Sequence, residues 1–128
     1  MEQRYLIDSN AVIDYLSGRI PGKGMAFMHE LIDQGPVISV ITKIEVLGYK
    51  TASAADRLLR DFVNDSLVLD LTDEVVDKTI SIRKQSKTKT PDAIIAATAI
   101  ANKLTVISRN TRDFIPIKGL TVLNPYDI

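Results

Sequence analysis

The chain has 128 residues, 45% of them hydrophobic and 25% charged, with sixteen basic side chains balanced by sixteen acidic ones. This is the composition of one globular domain, residues 1–128, with a normal core; the even charge balance excludes a protein that coats nucleic acid by bulk charge, so any such contact is local. No Cys is present for disulfides or thiolate chemistry, no apolar run approaches the ~20 residues of a membrane span, and Glu2, Arg4 and Asp8 interrupt any signal-peptide-like start, so a cytoplasmic protein without membrane contact is expected.

Taken in order, Arg4-Tyr-Leu-Ile-Asp8 reads as a short buried strand ending in an acid, and Ser9 or Asp8 caps a helix over residues 10–16. Residues 18–24, Gly-Arg-Ile-Pro-Gly-Lys-Gly, read as a flexible connection. Their likeness to a phosphate loop is superficial, because the spacing is one residue short and no Ser or Thr follows Lys23. A helix follows over residues 25–34, then a strand over residues 37–40, then a helix starting at Thr42 that carries Glu45 and runs to about Tyr49. Between Ser53 and Asn64, Ala55, Leu58, Leu59, Phe62 and Val63 follow a helical period. A strand at residues 67–69, a helix from Asp73 to Gln85, and a helix from Thr90 to Lys103 come next. In the last, Thr90 suits the cap and Pro91 the first helical position. Its apolar residues cover nearly every face, which predicts burial, yet Asp92 sits in its first turn. A strand over residues 105–108, a turn over residues 111–114 and a strand over residues 121–123 complete the chain.

Short strands alternating with helices predict an α/β sandwich of three layers, with a mainly parallel central sheet of about five strands. In such sheets ligands sit beyond the carboxyl ends of the strands. Asp8 ends the first strand, Glu45 follows the second by a helical turn, and Asp92 heads a helix that must run back to feed the fourth. Ser108-Arg-Asn-Thr-Arg-Asp113 then adds Asn110 and Asp113. Each acid has a local alternative. Asp8 can make a cap or an Asx turn, Glu45 completes the capping box Thr42-Lys-Ile-Glu45, and Asn110 can cap a turn with Asp113 at its third position. Capping does not explain why they converge on one edge. Clustered carboxylates raise one another's pKa unless a cation neutralises them, and an all-oxygen set selects Mg²⁺ or Mn²⁺. His29, the one His, lies far from the acids in sequence and is read as a surface or satisfied residue.

Four motifs then carry a resemblance: Tyr5-Leu-Ile-Asp-Ser-Asn10, Ile41-Thr-Lys-Ile-Glu-Val-Leu-Gly48, Pro91-Asp-Ala-Ile-Ile-Ala-Ala-Thr-Ala99 and Val106-Ile-Ser-Arg-Asn-Thr-Arg-Asp-Phe114. In this order and spacing they resemble the PIN domain family, and within it the VapC-type toxins of toxin–antitoxin pairs, over essentially the whole chain. The resemblance implies a Mg²⁺-dependent endoribonuclease, usually a homodimer, held inactive by a small antitoxin. It places the acidic site on Asp8, Glu45 and Asp92, with Ser9 as the family's small hydroxyl residue. This chain has Asn110 where a fourth acid often stands, and Asp113 is the possible substitute. On this reading Asp8 and Asp92 bind the metal directly and Glu45 binds a second ion or orients the attacking water. Arg109 and Arg112 are candidate phosphate contacts. So are Arg83, Lys84, Lys87 and Lys89, which precede Asp92 in an acid-free stretch and are equally explained as a solvated helix end. The competing readings are a Mg²⁺-dependent phosphatase with Asp8 as nucleophile and a catalytically silent PIN-like interaction module.

Overall fold

The computed structural model describes residues 4–128, so Glu2 lies outside the described residues. Among the described residues five strands and six α-helices, the helices in consecutive pairs, follow in order: β1 (Tyr5–Ile7), α1 (Ser9–Leu16), α2 (Gly22–Asp33), β2 (Val37–Ser39), α3 (Val40–Leu47), α4 (Ser53–Asn64), β3 (Leu67–Leu69), α5 (Asp73–Gln85), α6 (Thr90–Ala101), β4 (Thr105–Ile107) and β5 (Val122–Leu123). Two 3-10 turns follow β4 and β5, at Thr111–Asp113 and Pro125–Asp127. All pairings are parallel. β4 lies between β1 and β5, β2 pairs with β3, and the two ladders meet where β1 runs beside β2.

Successive strand side chains point to opposite faces, and the strands use both. Leu6 and Val106 enter a core built with Val75, Ile82, Ile95 and Phe114, under α5 and α6. Ile7, Ile38 and Ile107 enter a second core with Val12, Met28, Val46, Leu59 and Phe62, under α1 to α4. Burial on both faces is why the strands read as continuous apolar runs. The result is the expected three-layer α/β sandwich. α6 is buried along most of its length, as its all-round apolar surface predicts.

Local punctuation differs from the sequence reading at three places. α3 begins at Val40, not Thr42. Its cap is Ser39, whose hydroxyl accepts from the Thr42 amide at 3.1 Å. Thr42 is therefore a third-position residue, and the capping box with Glu45 does not form. α6 begins at Thr90 with Lys89 in the cap position, so Thr90 is inside the helix; its hydroxyl takes a hydrogen bond from Arg83 instead. Finally, α2 begins at Gly22, inside the stretch read as a flexible connection. Gly24 is required there by close approach: a Cβ would sit 1.9 Å from the carbonyl oxygen of Pro125.

Candidate active site

Asp8 follows β1 directly and serves as the cap of α1. Its Oδ1 accepts from the Ser9 amide at 2.8 Å, and its Oδ2 accepts from Ser108 Oγ at 2.8 Å and Asn10 Nδ2 at 3.1 Å. The side chain is only 5% exposed. Burial, reinforced by the charges of Asp92 and Glu45, pushes its pKa up to about 6 despite the hydrogen bonds from Ser108 and Ser9 that favour the ionised form.

Glu45 lies on the exposed side of α3. With the capping box gone, its carboxylate turns to the first strand–helix junction, where Ser9 Oγ donates to Oε1 at 2.5 Å. Ser9 lies 3.4 Å from Thr42 Oγ1, which lies 3.3 Å from Ser39 Oγ, so a short chain of hydroxyls lies beneath Glu45. Asp92 is half-buried at the head of α6. Its pKa is raised by burial first, then by the charges of Asp113 and Glu45, with Lys89 opposing. Asp113 sits in the turn after β4 and Asn110 at that turn's cap position. The Asn110 side chain makes no capping bond, while its amide donates to Ser108 Oγ at 3.1 Å.

The structure thus brings Asp8, Glu45, Asp92 and Asp113 into one electrostatic neighbourhood at the carboxyl edge of the sheet. Among the described residues, none of the four forms an ion pair with Lys or Arg. Nor do three acids or His side chains there close on one point as a ready-made metal site. The two facts are compatible, because repelling carboxylates feel one another at distances longer than a metal's coordination shell. The donor chemistry fits a hard cation: the groups are all oxygen, none of them is ion-paired among the described residues, and burial already opposes the Asp8 charge. His29 is elsewhere, exposed and hydrogen-bonded to the Tyr15 hydroxyl at 2.8 Å.

Of the basic candidates, Arg83, Lys87 and Lys89 line an open cavity of about 560 Å³ with Ser86, Thr88, Thr90 and Pro91, next to Asp92 in the chain. Arg112 is exposed. Arg109 is 47% exposed, yet its guanidinium is tied back to α1. Its Nη1 donates to Asp14 Oδ2 at 2.8 Å. Asp14 was not singled out by the sequence, yet it is 2% exposed. It also accepts from the Tyr126 hydroxyl at 2.9 Å and lies 3.8 Å from Arg19 Nη1. A fully buried Asp in mid-helix is rare without such partners, but its two hydrogen-bond donors, Arg109 and Tyr126, come from far along the chain and leave no local signal.

Three solved structures show the same architecture. A toxin–antitoxin complex from Klebsiella pneumoniae is 30% identical, with 97% of this chain and 99% of that chain covered and a TM-score of 0.74. FitAcB from Neisseria gonorrhoeae is 25% identical over 97% and 99%, with a TM-score of 0.75. DNA-bound VapBC from Salmonella typhimurium is 22% identical over 97% and 99%, with a TM-score of 0.80, a likeness of fold. Curated proteins returned no match. The PIN domain profile matches residues 5–119, nearly the whole chain and every residue of the acidic edge. With that match the fold and the acids have one explanation: the chain belongs to the PIN domain family.

Proposed function

We propose that this protein is a Mg²⁺-dependent endoribonuclease and the toxin of a toxin–antitoxin pair. One observation carries the reading: at the carboxyl edge of a PIN fold Asp92 and Glu45 raise the pKa of Asp8, Asp113 and Glu45 raise that of Asp92, and among the described residues no Lys or Arg forms an ion pair with any of the four. Asp8 and Asp92 would hold the ion, and Glu45 would hold a second ion or orient water. Asp113 supplies the negative charge beside Asp92 that Asn110 does not. Mg²⁺, or Mn²⁺ in its place, lowers the pKa of attacking water and neutralises charge on the scissile phosphate.

The chain's own residues prepare that chemistry. Ser108 and Asn10 fix Asp8 from one side, and the Ser9 amide fixes it from the other. Ser9 Oγ aims Glu45. The cations of the α5–α6 junction offer a phosphate backbone a path to Asp92.

The antitoxin reading rests on the solved neighbours, one of which is described as a toxin–antitoxin complex. It has a physical counterpart here. A groove of about 170 Å³ between α1 and α4 is lined by Ile13, Leu16, Tyr49, Leu58 and Leu59. Leu58 and Tyr49 are exposed within it, so apolar side chains of an antitoxin segment would find a seat there. Homodimer formation belongs to the same proposal. A cytoplasmic setting goes with it, and no helix among the described residues is long and apolar enough to cross a membrane.

The test is incubation of the purified, partner-free chain with single-stranded RNA. Cleavage should require Mg²⁺ or Mn²⁺, stop in EDTA, and disappear when the small protein encoded beside it is co-purified. Cleavage that survives EDTA would remove the metal from the reading. A free chain that binds neither metal nor RNA would favour the silent interaction module.

A further inference from the structure

We propose that Asp14, Arg109 and Tyr126 form a positioning network that holds residues 108–113 against Asp8. It rests on the nuclease reading for its purpose, but not for its geometry. Arg109 is attached to α1 at two points. Its guanidinium donates to Asp14 at 2.8 Å, and its backbone amide donates to Asn10 Oδ1 at 2.9 Å. Asn10 and Asp14 are four apart and so share one face of the helix. A single anchor would leave the peptide free to pivot about it; two anchors on one rigid element fix both its position and its orientation.

The attachment leads directly to the acids. Asn10, besides receiving the Arg109 amide, donates through Nδ2 to Asp8 Oδ2 and to Ser108 Oγ at 3.1 Å each. Ser108 Oγ in turn donates to Asp8 Oδ2 and accepts the Asn110 amide. Past Asn110 the chain makes one 3-10 turn that carries Asp113, and Phe114 then anchors it in the core. The segment bearing two site residues is thus pinned at Arg109 and at Phe114.

Tyr126 completes the network from the other end of the chain. Its hydroxyl donates to Asp14 Oδ2, the oxygen that also takes Arg109. Its turn is held by Asn124, whose Oδ1 accepts the Tyr126 amide at 2.9 Å, and by the close packing of Pro125 on Gly24 of α2. Asp14 is therefore the point where α1, the segment after β4 and the C-terminal turn meet. It is a positioning residue, as is Arg109, whose guanidinium is engaged by Asp14.

Arg109→Gln, Arg109→Lys and Tyr126→Phe test this in the full chain. The first readout is hydrogen exchange of the Arg109 and Asn110 amides in metal-free protein. It should be faster in Arg109→Gln and Tyr126→Phe than in wild type, with α6 exchange unchanged. Unchanged exchange at both amides overturns the network whether or not the protein cuts RNA. The second readout is calorimetric titration with Mg²⁺ alone. Arg109→Gln should bind about 10-fold more weakly, the lower end for residues that orient a metal's ligands, with partial recovery in Arg109→Lys. In RNA cleavage, Arg109→Gln should lose kcat at unchanged KM. A raised KM with unchanged kcat and unchanged Mg²⁺ affinity would instead make Arg109 an RNA contact and overturn the proposal. Tyr126→Phe keeps both charges and removes one hydroxyl, so it carries the test if Arg109→Gln does not fold. A wild type that neither binds Mg²⁺ nor cuts RNA refutes the nuclease reading, and the exchange result still decides the network.

Discussion

Replacing the Asp8 carboxylate by an amide, Asp8→Asn, should stabilise the metal-free protein at neutral pH and destabilise it in acid. The sign follows from the direction of the shift. Asp8 titrates at about 6 in the folded chain against an ordinary value of 3.8, so the folded state holds the proton more tightly than the unfolded one. Stability from this group is then complete below pH 3.8 and is lost as pH rises through 6. The difference amounts to about 3 kcal/mol, at 1.36 kcal/mol for each unit of pKa. Asp8→Asn removes that dependence. It also introduces one mismatch: the new NH₂ must face either the Ser9 amide or the Asn10 NH₂, both donors to Asp8. One such buried mismatch costs about 1 kcal/mol. The net expectation in EDTA is a gain of about 2 kcal/mol at pH 7 and a loss of about 0.5 kcal/mol at pH 4. Saturating Mg²⁺ should invert the order at pH 7. Wild type gains roughly 2.7 kcal/mol at a hundred times its dissociation constant, and Asp8→Asn gains far less. Urea unfolding of both proteins from pH 4 to 8, with EDTA and with Mg²⁺, measures all of this. A stability difference that does not change with pH between 4 and 7 would refute the argument that Asp8 is held charged against burial.

Ser9→Ala should leave thermal stability close to wild type yet weaken Mg²⁺ binding by about 10-fold, because Glu45 loses the hydroxyl that aims it; calorimetry checks it. Gly24→Ala should destabilise by about 1–3 kcal/mol in urea unfolding, since the added methyl overlaps the Pro125 carbonyl and backbone must move. Lys87→Ala should weaken RNA binding with unchanged Mg²⁺ affinity, and lower the slope of log affinity against log salt by about 0.7 if one phosphate is neutralised there.

Much of the fold was legible because it is written in local periodicity. The stripe of Leu59, Phe62 and Val63 marks α4 to the residue, and the all-round apolar surface of α6 correctly predicts its burial. The acidic edge was legible for a topological reason: parallel strands with crossover helices bring strand ends and helix starts to one side. Caps were harder. Val37-Ile-Ser-Val-Ile-Thr42 offers two hydroxyls three residues apart, and only the structure shows Ser39 capping α3 while Thr42 supplies the amide. That choice releases Glu45 from its local role. Gly22 and Gly24 read as breakers, yet α2 starts at the first and runs through the second, where the C-terminal turn packs against it. The pairing of Asp14 and Arg109 was beyond local reading altogether. Their pairing spans 95 residues, and Tyr126 reaches Asp14 across 112.

The nuclease function requires that the acids at the sheet edge do chemistry on RNA. The most direct measurement compares wild type and Asp92→Asn for both cleavage and binding of one single-stranded RNA at saturating Mg²⁺. Asn is nearly isosteric with Asp and keeps the half-buried head of α6 filled, but it brings no charge to a metal. Cleavage should fall by at least about 100-fold while RNA affinity and the melting temperature in EDTA stay at or above wild type. Cleavage by Asp92→Asn at the wild-type rate would contradict the claim and leave Asp92 as an ordinary acid in the first turn of a helix.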